Sequence, residues 1–373
     1  MTPPPHPIRL PMLAGIRVLP ALLVFVGHAG MQGVFANGTV NFLILGLTAG
    51  AGEAALSMFF MLSGFVLAWS ARPGDRTGRF YRRRLVKIFP NHLVVWTACV
   101  VLLIATGGAL TAGQALPSLL LVQAWVPSIP VLSGVNGPSW SLSCELALYL
   151  LFPWLVRLVA RIRPERLWWW VFGLGAAIAA LPWLALLLPY EPTLFGLPVP
   201  FYRFWFAVFF PPVRVLDFAI GIVLARIVAE GRWPEVRPRV TLAILAVCWV
   251  GALPLPVPFN FVGPFVVPVV LLLGTAAAWD ATGRRSWLSS PLMVRLGDLS
   301  FPFYLLHWPV LHYGHMAFGA GKWSPPVALA FLLAALLATV GLSWLLSTLV
   351  ERPALRRWSE PRAAPRRPAT VPA

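Results

Sequence analysis

The chain has 373 residues, of which 59% are hydrophobic and only 11% are charged, and its mean hydropathy is +0.79. A water-soluble domain carries roughly 25% charged residues, so this chain lacks the polar surface that a soluble globule needs. Its net charge of +17 does not indicate nucleic-acid binding, because the cations stand in short clusters between apolar runs, without interleaved exposed aromatic residues. The three cysteines lack paired spacing, which argues against a disulfide framework or a metal site.

Apolar runs of about twenty residues, the length that a helix needs to cross the hydrocarbon core, recur along the whole chain. They predict an all-α, polytopic integral membrane protein with about ten transmembrane helices. Residues 1–358 are expected to form one transmembrane domain, and the Pro/Arg-rich residues 359–373 a disordered cytoplasmic tail. The predicted spans cover roughly 10–30, 45–70, 88–109, 138–160, 168–189, 207–229, 240–256, 259–279, 297–318 and 327–350.

The distribution of positive charge predicts that both termini are cytoplasmic. If the N-terminus lies inside, ten spans place nearly all of the 29 Lys and Arg residues in cytoplasmic connections and tails. This is the split that the positive-inside rule describes. The exceptions are Arg17, Arg203, Arg214 and Lys322.

The first span contains two ionisable residues, Arg17 and His28. Eleven residues make about three helical turns, so both side chains share one face, about 16 Å apart along the axis. Arg17 would lie near the cytoplasmic mouth and could hold a phosphate or carboxylate, whereas His28 would lie deep and could take a proton from a hydroxyl. The alternative is that Arg17 snorkels to lipid headgroups and His28 is a buried hydrogen-bonding residue.

Arg83, Arg84 and Lys87 follow the second span and would share a face if this segment is helical. A cationic face at the inner membrane surface suits a phosphorylated donor such as a nucleotide-linked thioester. The alternative is an ordinary topology anchor.

Glu145 lies near the start of the fourth span, with Tyr149 one turn further on the same face. The carboxylate could orient His28, as the acid of a catalytic triad does, or it could brace the fold. Glu53 is a further candidate, whereas Arg214 and Asp217, three residues apart, are expected to pair with each other.

The ninth span contains three histidines, His307, His312 and His315. They do not repeat on one helical face, and no carboxylate lies nearby in the sequence, so we predict no metal site. His307 alone is a candidate for lining a substrate site.

These motifs resemble those of the acyltransferase-3 family of bacterial membrane O-acyltransferases, and the resemblance covers nearly the whole chain. Each motif is loose alone, but their order along the chain is specific. The matching stretches are Arg17 with His28, Phe59–Phe65, Arg84–Lys87 before Pro90, Trp140–Glu145, Ser300–Pro309 with Tyr304 and His307, and Glu351-Arg-Pro. Lys87 replaces the second Arg of its motif, which keeps the charge but loses bidentate geometry.

The resemblance implies transfer of an acyl group, commonly acetyl, from a coenzyme A thioester to a hydroxyl of a carbohydrate, glycoside or macrolide-type acceptor. It implies His28 and Arg17 as central residues, and the nearest likeness is to members that modify antibiotics. We expect the donor phosphates on Arg83, Arg84 and Lys87, and substrate contacts from Tyr149, Tyr304 and His307, with Glu145 supporting His28. Direct transfer and an acyl-histidine intermediate are both open.

The resemblance also predicts location and partners. The chain is expected in the bacterial plasma membrane, with acyl-coenzyme A as a co-substrate, no permanently bound cofactor and no nucleic acid, and nothing identifies a protein partner. Two other classes remain open. A transporter or flippase would also place ionisable residues in its spans, and a non-catalytic scaffold would tolerate an alanine at His28.

Overall fold

The computed structural model describes residues 10–71, 74–194 and 198–359. Regular structure in these ranges is helical, as predicted, apart from two isolated β-bridges, Phe35–Trp323 and Thr193–Pro200. The predicted tail beyond residue 359 lies outside the described residues. The α-helices are α1 (Pro11–Gly15), α2 (Val18–Met31), α3 (Gly38–Ser70), α4 (Thr77–Ala105), α5 (Ala112–Leu119), α6 (Ile129–Ser133), α7 (Trp140–Ala160), α8 (Leu167–Ala185), α9 (Phe201–Phe204), α10 (Pro211–Ala229), α11 (Pro238–Ala252), α12 (Val266–Ala281), α13 (Pro291–Asp298), α14 (Ser300–Ala317), α15 (Pro325–Leu346) and α16 (Arg352–Trp358).

Seven helical stretches in the described residues are long and apolar enough to cross a membrane. Two further apolar helices, α11 and α12, have 15 and 16 residues, fewer than the roughly 20 that an untilted span needs. The membrane-protein class is therefore confirmed, while the count of ten and the cytoplasmic termini stay predictions. The seven stretches are Pro11–Met31, Gly38–Ser70, Thr77–Ala105, Gly137–Ala160, Pro164–Ala185, Phe201–Ala229 and Pro325–Trp358.

The first predicted span is divided into α1 and α2, and Pro20 explains the break. A proline has no N–H, so the carbonyl of Ile16 cannot receive the helical hydrogen bond that residue 20 would otherwise donate. The N–H of Leu19 bonds to this carbonyl instead, at 3.1 Å. Arg17 therefore lies at the junction of two helices.

Helices α3 and α10 pack closely at the centre of the bundle, where most residues of α10 are buried. Their backbones approach at Gly64 and Gly221, where a Cβ atom would collide with the facing helix. Arg214 pairs with Asp217 at 3.3 Å, as predicted, and also with Glu53 of α3 at 2.5 Å. A buried cation with two carboxylate partners is what an apolar bundle requires of a structural charge.

The connection between α4 and α7 folds back into the bundle, which the sequence analysis did not predict. It contains α5, a 3₁₀ turn at Gln123–Trp125 and α6. The indole N–H of Trp96 donates to the hydroxyl of Ser118 at 3.0 Å. The indole N–H of Trp205 donates to the carbonyl of Ala124, also at 3.0 Å. This segment packs against helices on both sides and precedes the polar stretch that begins α7.

Candidate active site

A cavity of about 320 Å³ lies between the α1–α2 junction, α3, α4, α7 and α14. Its walls combine apolar side chains, many of them from α3, with three cations and one carboxylate. Ionisable groups inside an apolar bundle are costly, so their convergence on one cavity indicates a polar ligand site. The polar lining residues are Arg17, Ser63, Arg84, Lys87, Ser141, Glu145, Tyr149, Ser300 and Tyr304.

Two of the three cations predicted to bind the donor face this cavity, and the third does not. Arg84 and Lys87 line it, and the guanidinium carbon of Arg84 lies 5.8 Å from the ring centroid of Tyr149. Arg83 instead forms an ion pair with Asp75, before the start of α4. The predicted donor contact of Arg83 is therefore not formed at this cavity, because its side chain turns to Asp75 although it lies one helical turn from Lys87.

Glu145 belongs to the cavity and not to the histidine that it was predicted to orient. Its carboxylate accepts hydrogen bonds from the hydroxyl of Tyr149 and, at 3.5 Å, from that of Ser63. No hydrogen bond joins Glu145 to His28, whose Nδ1 contacts His307 instead. Ser63, to which the sequence analysis gave no role, thus joins α3 to the polar side of α7.

His28 and His307 form a side-chain pair. Nδ1 of His28 lies 2.8 Å from Nε2 of His307, and their ring centroids are 4.9 Å apart. His307 is fully buried, and its Nδ1 lies 2.6 Å from the carbonyl oxygen of Tyr304. The ring centroid of Trp308 lies 5.3 Å from that of His28. The structure therefore brings together the two histidines that the sequence analysis selected from the first and ninth predicted spans.

Tyr304 connects the cavity to the histidine pair. Its side chain lines the cavity, and its ring centroid lies 5.4 Å from that of His307. Its hydroxyl accepts a hydrogen bond from Ser141 at 2.8 Å and donates to the carbonyl of Pro138 at 2.9 Å. Tyr304 thus lies between the cation-lined cavity and His307, and His307 in turn contacts His28.

Pro309 explains how the turn before α7 is tied to the histidine turn of α14. Because Pro309 has no N–H, the carbonyl of Leu305 lacks its helical donor. The side-chain amide of Asn136 donates to this carbonyl instead, at 2.9 Å. The turn that contains Asn136 is therefore hydrogen-bonded to α14 at the carbonyl that Pro309 leaves free, close to His307.

The other histidines of α14 have partners of their own. The ring of His312 stacks on Trp308 at 5.6 Å between centroids, and Nε2 of His315 donates to the carbonyl of Gly321 at 2.8 Å. In the parts of the chain that the structure describes, no group of three or more His, Cys, Asp or Glu residues is arranged to hold a metal ion.

Comparison with known proteins decides the family. The sequence model of the acyltransferase-3 family, described as an acyltransferase domain, matches residues 12–348. The chain belongs to this family. It is 41% identical to acyltransferase MdmB of Streptomyces mycarofaciens over 365 residues, which cover 95% of this chain and 93% of the relative. No solved structure matches the chain. The protein is thus an acyltransferase, and its long apolar helices make it a membrane protein.

The acyltransferase holds Lys87 with a residue that the sequence analysis did not place in the site. The carboxylate of Glu351 accepts hydrogen bonds from the ammonium of Lys87 and, at 2.8 Å, from the amide of Asn91. Glu351 ends a π-helical turn, Ser347–Glu351, a feature that is frequent at functional sites. The Glu351-Arg-Pro motif was a signal for this residue, but no local pattern identifies a partner 264 positions away.

Arg17 and Arg84 differ from Lys87 in their charge partners. Lys87 is neutralised by Glu351, whereas neither arginine forms a salt bridge within residues 10–71, 74–194 and 198–359. The Nε atom of Arg84 is buried and has no hydrogen-bond partner among them. The acyltransferase therefore presents to the cavity two guanidinium groups that form no salt bridge there, with Glu145 as the one carboxylate among the lining residues.

Proposed function

We propose that this acyltransferase transfers an acyl group, with acetyl as the expected case, from a coenzyme A thioester to a hydroxyl. The acceptor would be a carbohydrate, a glycoside or a macrolide-type molecule. The observation that supports this proposal is the cavity lined by Arg17, Arg84 and Tyr304, whose ring packs beside His307, the partner of His28.

The charges and walls of the cavity suit the two parts of such a donor. Phosphate groups bind best to guanidinium groups, which offer paired N–H donors, and Arg17 and Arg84 supply them. The apolar wall, which includes Phe59, Leu62 and Val66, suits a flexible and mostly uncharged thioester arm. Between Arg17 and His28 lie about 16 Å of helix axis, which such an arm would span. The cationic first turns of α4 would place the donor entrance on the cytoplasmic side.

His28 is the proposed catalytic residue. Its imidazole takes the proton of the acceptor hydroxyl while the oxygen attacks the acyl carbon, and the thiolate of coenzyme A leaves. In a second route the imidazole itself attacks the thioester, and the acyl-histidine then transfers its group to the hydroxyl. Rapid quenching followed by mass spectrometry separates the two routes, because only the second produces an acylated protein in the absence of acceptor.

The test uses purified protein in nanodiscs, with acetyl-coenzyme A and a panel of hydroxylated acceptors that includes sugars and macrolides. We expect free-thiol release that depends on the acceptor, together with an acylated acceptor of the corresponding mass. His28→Ala should lower kcat by at least about 100-fold, the lower end of the effect of a positioned base, while donor binding is retained.

Three outcomes would contradict parts of this proposal. Absence of donor binding and of thiol release across the panel would favour the transport alternative. A folded His28→Ala variant with full activity would leave an acyltransferase but remove His28 from the chemistry. Acyl transfer from a donor without phosphate groups, at the same KM, would remove the role of the two arginines.

A further inference from the structure

Both ring nitrogens of His307 are engaged, which restricts where its proton lies. Nδ1 lies 2.6 Å from the carbonyl oxygen of Tyr304, and Nε2 lies 2.8 Å from Nδ1 of His28. A carbonyl oxygen only accepts hydrogen bonds, so Nδ1 of His307 must carry a hydrogen. A neutral imidazole has one N–H, and Nε2 of His307 is then an acceptor.

His307 is expected to be neutral because it is fully buried and its two partners are a carbonyl and another imidazole. A charged ring without a counter-ion would be costly at this position. Because Nε2 of His307 accepts, Nδ1 of His28 must donate. In neutral His28 the proton therefore lies on Nδ1, and Nε2 carries the lone pair that a base or nucleophile needs.

We propose that His307 is the positioning residue of this acyltransferase, which fixes the tautomer of His28 so that Nε2 is the reactive atom. This inference rests on the proposed function. In the serine-protease arrangement a carboxylate performs this task, and the sequence analysis assigned it to Glu145. Here a neutral imidazole performs it, held in turn by the backbone carbonyl of Tyr304.

The proton balance of the step follows from this arrangement. The O–H bond of the acceptor breaks and an N–H bond forms at Nε2 of His28, while the oxygen bonds to the acyl carbon. The C–S bond then breaks, and the leaving sulfur takes the proton from Nε2. During the step Nδ1 of His28 keeps its hydrogen and goes on donating it to the lone pair on Nε2 of His307, which stabilises the positive charge on His28 without a buried carboxylate.

Nitrogen NMR of the wild-type protein in nanodiscs, with isotope-labelled histidine, tests the tautomers directly. Loss of signals in His28→Gln and His307→Gln identifies the two rings. We expect both to be neutral at neutral pH, with the hydrogen on Nδ1 and a bare Nε2. A hydrogen on Nε2 of His28 would overturn the inference. The NMR experiment does not depend on catalysis, so it tests the tautomer of His28 even if no acyl transfer is detected. Failure of this inference can therefore be distinguished from failure of the proposed function.

Two substitutions at His307 test the consequence for the reaction. Gln can place its carbonyl oxygen near the position of Nε2 and accept from His28, whereas Phe keeps a ring but has no acceptor. We expect His307→Phe to lower kcat by about 100-fold and His307→Gln by less than about tenfold, with unchanged donor KM in both. His315→Gln, on the same helix and outside the site, is the matched control and should keep the wild-type kcat.

Equal losses in the Gln and Phe variants, or full activity of His307→Phe, would overturn the inference. Thermal unfolding and donor binding are measured for each variant, so that a variant that does not fold is recognised. In that case the NMR result on the wild-type protein still decides the tautomer.

Discussion

Gly64 of the Phe59–Phe65 motif allows the backbones of α3 and α10 to touch, and its replacement by Ala gives a sharp prediction for stability. A Cβ atom at this position would lie 2.1 Å from the carbonyl oxygen of Phe218. Even a tight Cβ contact is at least 3.0 Å. The two backbones would therefore have to separate by roughly 1 Å in a closely packed interior, which resists such movement.

The cost of this separation includes the polar contacts that cross the same interface. Overpacking alone costs about 1–3 kcal/mol. Moving α3 away from α10 also stretches the hydrogen bond of Ser57 to Asp217 and the ion pair of Glu53 with Arg214. We therefore expect Gly64→Ala to lose about 3 kcal/mol, the upper end of that range, which lowers Tm by roughly 5 °C or more.

The assay is thermal unfolding in one detergent, followed by tryptophan fluorescence, with donor binding measured below Tm. Gly52→Ala is the matched control, because it lies on the same helix and its added Cβ would meet no atom within 4 Å. It should be neutral or gain up to about 1 kcal/mol, since Ala is the better helix former. If Gly64→Ala unfolds at the same temperature as Gly52→Ala, the close backbone contact is not the reason for this glycine.

Three further predictions concern the cavity. Arg84→Ala should raise the donor KM at least about tenfold, as expected for loss of a charged hydrogen bond worth roughly 1.5–3 kcal/mol, whereas Arg83→Ala should leave the KM unchanged. Titrations with acetyl-coenzyme A measure both values, and equal effects would contradict the assignment of Arg84 to the donor site. Glu351→Gln should raise the same KM with little change in kcat, because Lys87 loses the charge that fixes it; a fall in kcat alone would place Glu351 in the chemistry. Glu145→Gln should lower kcat by less than about tenfold in steady-state assays, and a loss near the ~10⁴-fold that follows replacement of a triad carboxylate would restore Glu145 as the partner of His28.

Helix class and membrane location could be predicted from the sequence because apolar content and run length report them directly. Boundaries were less accessible. Helix α4 begins at Thr77, well before the predicted start at residue 88. The prediction missed these turns because a hydropathy pattern excludes a cationic stretch such as Arg82–Lys87. Arg, Leu and Lys nevertheless favour helix formation, so the helix extends through it. The break between α1 and α2 follows from Pro20, whose missing N–H a hydropathy pattern does not register.

The members of the site could largely be selected from the sequence, but their partners could not. Arg17, Arg84, Lys87 and Glu145 do face one cavity, since ionisable residues in apolar helices seldom face lipid. Pairing depends on helix packing between distant segments, and His28 and His307 are 279 positions apart. No periodicity in a single helix contains that information, so the contact between His28 and His307 could not be predicted from the sequence.

Arginine has two different environments in this bundle, and they distinguish an arginine that stabilises the fold from arginines that could bind a ligand. Arg214 is buried with two carboxylates, so its charge is compensated by the protein itself. Arg17 and Arg84 face a cavity and form no salt bridge in the described parts of the chain. Charges in an apolar bundle are tolerated when a counter-charge is near. A phosphorylated donor would supply Arg17 and Arg84 with negative counter-charge, as Glu53 and Asp217 do for Arg214. The affinity of the donor should therefore depend on its phosphate charge more than on contacts with the acyl group.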